Sequence, residues 1–221
     1  MKKITILLAE DHVVVRESIR QYLEREPNLS VVGEAGDGEE AVRMANELKP
    51  DLIVMDISLP KLNGIEATKR IKELHPTAIV LVLTAYDYEQ YIFPLLEAGA
   101  AGYLLKDISS RELVDAIQTV YRGEAALHPA IARKVLARFK QAKVEPGREH
   151  ELDLLSQRET AVLKMAARGM SNQDIAEELN LSVRTVESHL GSIFNKLGVA
   201  SRTEAVIEAM RQGWFTLEDL S

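Results

Sequence analysis

Short apolar runs alternate with helical patterns through the first half of the chain. Five runs have the length and composition of buried strands, at residues 4–9, 29–35, 51–56, 78–84 and 101–106. Apolar residues at helical spacing lie between them, as at Val14, Ile19 and Leu23. Since the runs are apolar enough to be covered on both faces, the pattern predicts an α/β fold with a doubly wound, five-stranded parallel sheet and five helices.

After about residue 125 the pattern changes to helices without strands. Four helices are predicted, over residues 157–167, 172–179, 183–196 and 202–211, and serines precede the first three of them as N-caps, at Ser156, Ser171 and Ser182. A chain of 221 residues is long enough for two domains. We therefore predict a first domain at residues 1–122, a partly helical linker at 123–152 and an all-helical domain at 153–221.

Charge is distributed unevenly between these two parts. The whole chain has 34 acidic and 27 basic side chains and a formal charge of −7, but residues 1–125 alone carry 21 acidic and 14 basic side chains. The remainder is neutral, so overall charge does not indicate a nucleic-acid or membrane partner.

The absence of cysteine excludes a disulfide scaffold and a thiolate metal site, and it is typical of a reducing compartment. The N-terminal apolar run ends at Ala9, too early for a signal peptide, and no apolar stretch reaches about 18 residues. A soluble, cytoplasmic protein without a membrane partner is expected.

Carboxylates follow two of the predicted strands. Glu10 and Asp11 end the first strand and Asp56 ends the third, and these strands are neighbours in a doubly wound sheet. Close carboxylates repel one another, and a divalent cation with oxygen ligands, here Mg²⁺, relieves that repulsion. Thr84 and Lys106 end the fourth and fifth strands at the same edge. A metal, a lysine and a hydroxyl together suit a phosphoryl group, with a carboxylate as its acceptor.

This half of the chain resembles the receiver domain of bacterial two-component response regulators from residue 3 to about residue 122. The resemblance is carried by residues 9–12, 54–60, 63–64, 84–85 and 102–106. It implies that a histidine kinase phosphorylates Asp56, that Glu10, Asp11, Asp56 and the Ser58 carbonyl hold Mg²⁺, and that Thr84 and Lys106 contact the phosphoryl oxygens.

Tyr103 resembles the aromatic switch of these domains, which turns inward when Thr84 moves toward the phosphate. Residue chemistry alone equally allows a structural tyrosine. Many receivers have proline after the pocket lysine, with a cis peptide, whereas Asp107 follows Lys106 here. The geometry of that peptide is left open.

The predicted helices 172–179 and 183–196 have the lengths and the short turn of a helix-turn-helix. Val186, Leu190, Ile193 and Leu197 would face inward. The side of the second helix that faces solvent or DNA would comprise Arg184, Thr185, Glu187, Ser188, Gly191, Ser192 and Asn195. Periodicity alone is equally compatible with another helical bundle.

The helical half also resembles the LuxR-type DNA-binding domain. The residues that carry this resemblance are 155–159, 167–172, 175–176, 179, 182, 185–186, 189, 193, 196–199 and 202–203. It implies phosphate contacts by Thr185, Lys196 and Arg202, and base contacts by Glu187, Ser188 and Gly191.

The whole chain thus resembles a NarL/FixJ-type response regulator. The resemblance implies that phosphorylation of Asp56 promotes a homodimer, which binds paired DNA half-sites and controls transcription. The last helix offers a dimer face, or it belongs to the core of its own domain.

Two other functions are considered. A phosphatase of the haloacid-dehalogenase type would need a second aspartate two residues after Asp56, where Ser58 stands, so the chain is expected not to be an enzyme beyond slow Mg²⁺-dependent autodephosphorylation. A phosphorylation-controlled protein-binding module remains open because residues 155–213 carry seven acidic and seven basic side chains.

Overall fold

The computed structural model of the chain describes residues 3–141, 155–212 and 214. The predicted linker lies outside these residues from 142 to 152, as do the first two residues of the predicted helical domain. Within the described part of the chain, no helix has the length and apolar character needed to cross a bilayer.

A parallel sheet forms the first half, and the predicted α/β fold is confirmed. Its strands have the order β2-β1-β3-β4-β5-β6, so the first and third strands are neighbours as expected. The bounds are β1 Ile4–Ala9, β2 Leu29–Ala35, β3 Leu52–Met55, β4 Ile79–Thr84, β5 Gly102–Leu105 and β6 Ala126–Leu127.

The sixth strand was not predicted. It has two residues, too few for an apolar run, and it lies in the range assigned to the linker. Ala126 pairs with Gly102 and Leu127 with Tyr103 at the edge of β5. Tertiary pairing, not local composition, makes this segment a strand.

Five helices alternate with the first five strands: α1 Val13–Leu23, α2 Gly38–Leu48, α3 Gly64–Leu74, α4 Glu89–Glu97 and α5 Ser110–Tyr121. Apolar side chains above and below the sheet form two cores, one against α1 and α5 and the other against α2 and α3. A third cluster joins α4 to Val82 of β4 and Tyr103 of β5.

Helix α6, Pro129–Gln141, lies within the predicted linker and follows β6. Ile131 is buried in the α4 cluster, and Lys134 donates to the Asp87 carboxylate in the loop between β4 and α4. The start of the linker therefore packs on the first domain.

The second half contains α7 Gln157–Ala167, α8 Asn172–Leu179, α9 Val183–Leu197 and α10 Arg202–Arg211. The predicted serine N-caps are confirmed, since Ser156, Ser171 and Ser182 each accept a hydrogen bond from a backbone amide in the first turn. Asn180 ends α8 in the left-handed conformation, with φ of 51°, which turns the chain into α9.

The interior of this helical domain is apolar. Val186, Leu190 and Ile193 of α9 are buried as predicted, whereas Leu197 is partly buried against the same cluster, as is Trp214. Ala205 and Ala209 of α10 are also fully buried there. These two alanines therefore belong to the core of the domain and not to a dimer face.

Candidate functional site

The carboxyl ends of β1, β3, β4 and β5 bring the predicted pocket residues together. The amide of Asp56 donates to the Ala9 carbonyl, and the amide of Lys106 donates to the Thr84 carbonyl, at 2.9 and 2.8 Å. The sheet's hydrogen bonding thus continues one residue beyond each strand. These main-chain hydrogen bonds position the backbone of the pocket independently of its side chains.

Lys106 joins two buried carboxylates. Its Nζ lies 2.7 Å from Glu10 Oε2 and 2.8 Å from Asp56 Oδ2, while Glu10 and Asp56 are only 3% and 4% exposed. Burial disfavours the ammonium, but hydrogen bonds to Asp56 and Glu10 outweigh this, so the pKa of Lys106 is raised. The lysine is charged at neutral pH and offsets the repulsion between the two acids.

Glu10, Asp11 and His12 form a group of possible metal ligands, with one ligand atom from each within 4.8 Å of the others. Asp11 Oδ1 is buried and receives no hydrogen bond from the described residues, although His12 Nδ1 lies 2.8 Å away. A carboxylate oxygen without a donor suits a hard cation. Asp56 does not belong to this group, but Lys106 contacts both Asp56 and Glu10. Ser58, two residues after Asp56, is exposed.

The loop after Asp56 is held close to the pocket by Gly64. The Ile57 amide donates to Asp56 Oδ1 at 2.7 Å, and the Gly64 amide donates to the Ile57 carbonyl at 2.9 Å. A Cβ on Gly64 would lie 2.1 Å from the Asp56 carbonyl oxygen, which is a steric clash. Only glycine allows α3 to begin so near Asp56.

Thr84 and Tyr103 both hydrogen-bond to the backbone of Tyr86, in the loop after β4. Thr84 is fully buried, and its Oγ1 accepts from the Tyr86 amide at 3.3 Å. The Tyr103 hydroxyl donates to the Tyr86 carbonyl at 2.8 Å, and its ring is fully buried in the α4 cluster. Burial raises the pKa of this phenol, so it remains a hydrogen-bond donor. Tyr103 already points inward in this state.

The peptide after the pocket lysine is trans, since the described residues contain no cis peptide bond. The geometry left open by the Lys106–Asp107 sequence is thereby settled.

Helix α9 exposes most of its predicted outer face. Arg184, Glu187 and Ser188 are exposed, Thr185 is partly buried, and a Cβ on Gly191 would meet open space. His189, which sequence reasoning assigned to packing or to a phosphate contact, is partly buried. The first two turns of α9 therefore present these side chains to solvent, as a helix that enters the major groove of DNA requires.

Glu159 of α7 holds two of the predicted DNA-binding residues. Its carboxylate accepts from Ser192 Oγ at 2.6 Å and from Lys196 Nζ at 2.7 Å. Despite burial, the hydrogen bonds from Lys196, Ser192 and Ser156 lower the pKa of Glu159 to about 2. Sequence reasoning identified Glu159 only as part of an N-terminal cap. The one hydroxyl donor of Ser192 is thus used within the domain, which does not agree with its predicted DNA contact, whereas the ammonium of Lys196 has three donors and its side chain is 39% exposed.

Arg202 also differs from its predicted role. It is 4% exposed, and its guanidinium donates to the Met170 carbonyl and to Asn172 Oδ1. Burial lowers the pKa of Arg202 to about 10. In this conformation the guanidinium is too enclosed to contact a DNA phosphate. The sequence pattern does not predict this burial of Arg202.

The doubly wound sheet carries a pocket of carboxylates, a lysine and a hydroxyl that suits a phosphoryl group, and a helix-turn-helix follows it in the chain. Together these features define the class of phosphorylation-controlled DNA-binding proteins. Comparison with known families agrees with that class. A family model described as a response regulator receiver domain matches residues 6–118, and one described as bacterial regulatory proteins of the luxR family matches residues 153–209. The chain belongs to the LuxR-type DNA-binding response regulators of two-component systems.

Individual relatives cover nearly the whole chain. The transcriptional regulatory protein LiaR of Bacillus subtilis is 42% identical over 209 residues, 94% of this chain and 97% of LiaR. The response regulator ChrA of a heme-sensing two-component system is 35% identical with a TM-score of 0.53, covering 97% of this chain and 100% of ChrA. RcsB, solved as two dimers bound to two parallel DNAs, is 26% identical with a TM-score of 0.56, covering 95% of this chain and 98% of RcsB.

These relatives agree with the predicted function, that of a DNA-binding transcription regulator. The family is regulatory and not a classical enzyme family. The alternative of a protein-binding module without DNA binding is therefore not supported for the helical half.

Proposed function

We propose that Asp56 accepts a phosphoryl group from a histidine kinase and that this modification controls DNA binding by α9. The observation that carries the proposal is the ammonium of Lys106 placed between the buried carboxylates of Glu10 and Asp56. In the transfer, the bond from phosphorus to the kinase's histidine nitrogen breaks and a bond from phosphorus to an Asp56 oxygen forms. The histidine leaves as neutral imidazole after taking up a proton.

The acidic residues suit Mg²⁺ as the resident ion, with Glu10, Asp11, Asp56 and the Ser58 carbonyl as its ligands. A bound Mg²⁺ would offset the negative charge of the transferring phosphoryl group. Lys106 then exchanges its contact with Asp56 for one with a phosphoryl oxygen, and the Thr84 hydroxyl donates to another. The same groups would support slow hydrolysis of phospho-Asp56, the only catalysis expected of this chain.

The switch begins at Thr84. Movement of its hydroxyl toward the phosphate breaks the contact with the Tyr86 amide and changes the loop that accepts the hydrogen bond of Tyr103. We infer that this loop transmits phosphorylation to the receiver surface, which then forms a homodimer. The proposed units are a receiver at residues 1–122, a linker at 123–152 and a DNA-binding domain at 153–221.

Substitution of the acceptor tests the pocket. Asp56→Asn removes the nucleophilic carboxylate, so labelling by a small phosphodonor in the presence of Mg²⁺ is expected to fall to background. Asp107→Asn, an exposed aspartate next to Lys106, is the matched control and is expected to label like the original chain. Persistent label at another residue of Asp56→Asn would contradict the pocket assignment.

On the DNA side, we propose that Thr185 and Lys196 contact phosphates, while Arg184, Glu187, Ser188 and Gly191 lie toward bases. Two DNA-bound modules in a dimer would read paired half-sites about one helical turn apart. Their tethering would compensate for the neutral charge of the helical domain, because the second module binds at high effective concentration.

The double variant Thr185→Ala with Lys196→Ala tests the phosphate contacts. Loss of a phosphate contact weakens binding about equally on every DNA sequence and reduces the salt dependence, by about one unit of the log–log slope per contact. Fluorescence anisotropy titrations on cognate and unrelated DNA measure both effects, and Trp214 emission verifies that the domain is folded. Weakening confined to one DNA sequence would contradict the assignment.

A further inference from the structure

The outer face of α9 carries a carboxylate that has no partner within the domain. Glu187 is exposed, and no side-chain hydrogen bond or ion pair joins it to another residue in the described part of the chain. A glutamate on a helix surface commonly pairs with a cation one turn away. The residues four positions before and after Glu187 are Val183 and Gly191, which carry no charge. The carboxylate is therefore available to a ligand that approaches this face.

The surface beside Glu187 is open enough for the edge of a base to reach it. A Cβ on Gly191, one turn further along the helix, would meet nothing within 4 Å. Ser188 next to Glu187 is also exposed, whereas Val186 and Leu190 are buried in the core of the helical domain. Because position 191 has no side chain, the backbone of α9 can approach the floor of a groove closely. Glu187 would then lie at the level of the base edges.

A carboxylate on this face opposes binding to DNA in general. DNA phosphates repel it, and residues 155–213 carry seven acidic and seven basic side chains, so the domain gains little from overall attraction to DNA. Lys196 of the same helix is itself paired, at 2.7 Å, with the carboxylate of Glu159. Glu187 therefore favours binding only where a base offers it a direct contact that offsets this repulsion.

The chemistry of a carboxylate limits which base can do so. A carboxylate only accepts hydrogen bonds, and the donors in the major groove are the amino groups of cytosine and adenine. In an A·T pair the amino group lies between two acceptors, adenine N7 and thymine O4, and both repel a carboxylate. In a G·C pair the amino group has one acceptor beside it, guanine O6, and the apolar C5 edge of cytosine on its other side. Cytosine therefore suits Glu187 best.

We propose that Glu187 selects DNA half-sites with cytosine at one base position, by accepting a hydrogen bond from its amino group, and that the same carboxylate weakens binding to unrelated DNA. This rests on the proposed function and adds which base α9 reads. Both effects come from one charge and widen the difference in affinity between the half-site and other DNA.

Selection from a random pool of DNA tests the base preference. The original chain, Glu187→Gln and Glu178→Gln each enrich duplexes that contain two random half-sites one helical turn apart, in Mg²⁺ and beryllofluoride, and the enriched DNA is sequenced. Glu178 of α8 is exposed and makes no side-chain hydrogen bond or ion pair with the described residues. Its variant is therefore a matched control, which loses the same charge from a different helix.

The original chain and Glu178→Gln are expected to enrich cytosine at one position of each half-site. In Glu187→Gln the preference at that position is expected to change to adenine, because an amide can accept from adenine N6 and donate to adenine N7 at the same time.

Removal of a single amino group tests the contact itself. In the selected duplex, 2-pyrimidinone replaces that cytosine opposite guanine, and fluorescence anisotropy measures the affinity. The original chain is expected to lose affinity at least about fivefold, whereas Glu187→Ala is expected to lose less than about twofold. Because both proteins bind the same altered duplex, its weaker base pairing contributes equally to both results.

Affinity for unrelated DNA tests the second effect. Glu187→Gln and Glu187→Ala are both expected to bind an unrelated duplex more tightly than the original chain at low salt, and this gain is expected to shrink as salt screens the removed charge. The gain is expected to be smaller for Glu178→Gln. Trp214 emission verifies that each variant is folded, because this residue packs on the core of the helical domain.

The proposal is overturned if the original chain and Glu187→Gln enrich the same sequences, or if loss of the amino group weakens the original chain and Glu187→Ala equally. Failure of the proposed function gives a different result, because beryllofluoride would then leave the enrichment and the affinity unchanged. The comparison with Glu187→Gln would still decide the role of Glu187 in that case. If the original chain enriches no sequence at low salt, both the proposed function and the role of Glu187 are wrong.

Discussion

Single side chains in this protein take their properties from one or two close partners. Lys106 is charged because Asp56 and Glu10 outweigh its burial, and Glu159 is ionised because Lys196, Ser192 and Ser156 donate to it. The sequence predicts that Lys106 lies in the pocket, because it ends a predicted strand. It does not predict the partner of Lys196, because contacts between α7 and α9 depend on how helices pack.

The buried carboxylate of Glu159 leads to a prediction about pH. Glu159→Gln is expected to lower the free energy of unfolding of the helical domain at pH 7 by about 1–3 kcal/mol, since a hydrogen-bonded charge pair is lost. The folded pKa of about 2 lies below the ordinary 4.5, so this contribution is fully present above pH 4.5 and declines as the pH falls toward 2.

Urea unfolding followed by Trp214 emission measures the effect, because this single tryptophan packs on the core of the helical domain. The difference between Glu159→Gln and the original chain is expected to be constant from pH 7 to 5 and to shrink below pH 4.5. A difference that grows as the pH falls would contradict the role of Glu159.

At the level of helices and strands, local pattern predicts most of the fold. The strands β1 and β2 and the helices α7, α8 and α10 begin and end at the predicted residues, and α9 extends one residue further. Helix α4 is predicted only by its place between the fourth and fifth strands, without its residues, and β6 is not predicted. Helix α4 contains Pro94 and an apolar run, Ile92, Phe93, Leu95 and Leu96, that lacks a clear helical stripe, and β6 has two residues and exists through its pairing with β5.

The junction between β3 and α3 provides a test at this level. In Gly64→Ala the new methyl group would lie 2.1 Å from the Asp56 carbonyl oxygen and 2.9 Å from Ile57 Cα. Because both are backbone atoms, the receiver is expected to lose about 1–3 kcal/mol of stability, and beryllofluoride affinity is expected to fall as the Asp56 loop shifts.

Gly191→Ala is the matched control because its Cβ meets nothing within 4 Å. It is expected to stabilise α9 by up to about 1 kcal/mol, since alanine favours a helix over glycine. Circular dichroism during thermal unfolding measures both variants. Equal stability of Gly64→Ala and the original chain would contradict the close approach of α3 to the pocket.

In the whole molecule the two halves are in contact: Lys72 of α3 pairs with Glu204 of α10, and the Thr203 hydroxyl donates to the Ala101 carbonyl. Ile131 of the linker helix packs in the α4 cluster of the first half. Sequence analysis predicts both halves and their functions but not their relative orientation. The residues that join them, Lys72, Thr203 and Glu204, are ordinary members of amphipathic helices, and their partners lie more than 100 positions away. Only the folded chain shows that Arg202 is enclosed.

In the function we propose, phosphorylation at Asp56 controls DNA binding by the helical half. The most direct measurement combines light scattering with a DNA titration at a stated salt concentration, in Mg²⁺, with and without beryllofluoride as a phosphate mimic. With beryllofluoride, a shift from monomer to dimer is expected, together with tighter binding to DNA that carries paired half-sites. If beryllofluoride binds at Asp56 while DNA affinity stays negligible at low salt, the coupling between pocket and DNA-binding helix is contradicted.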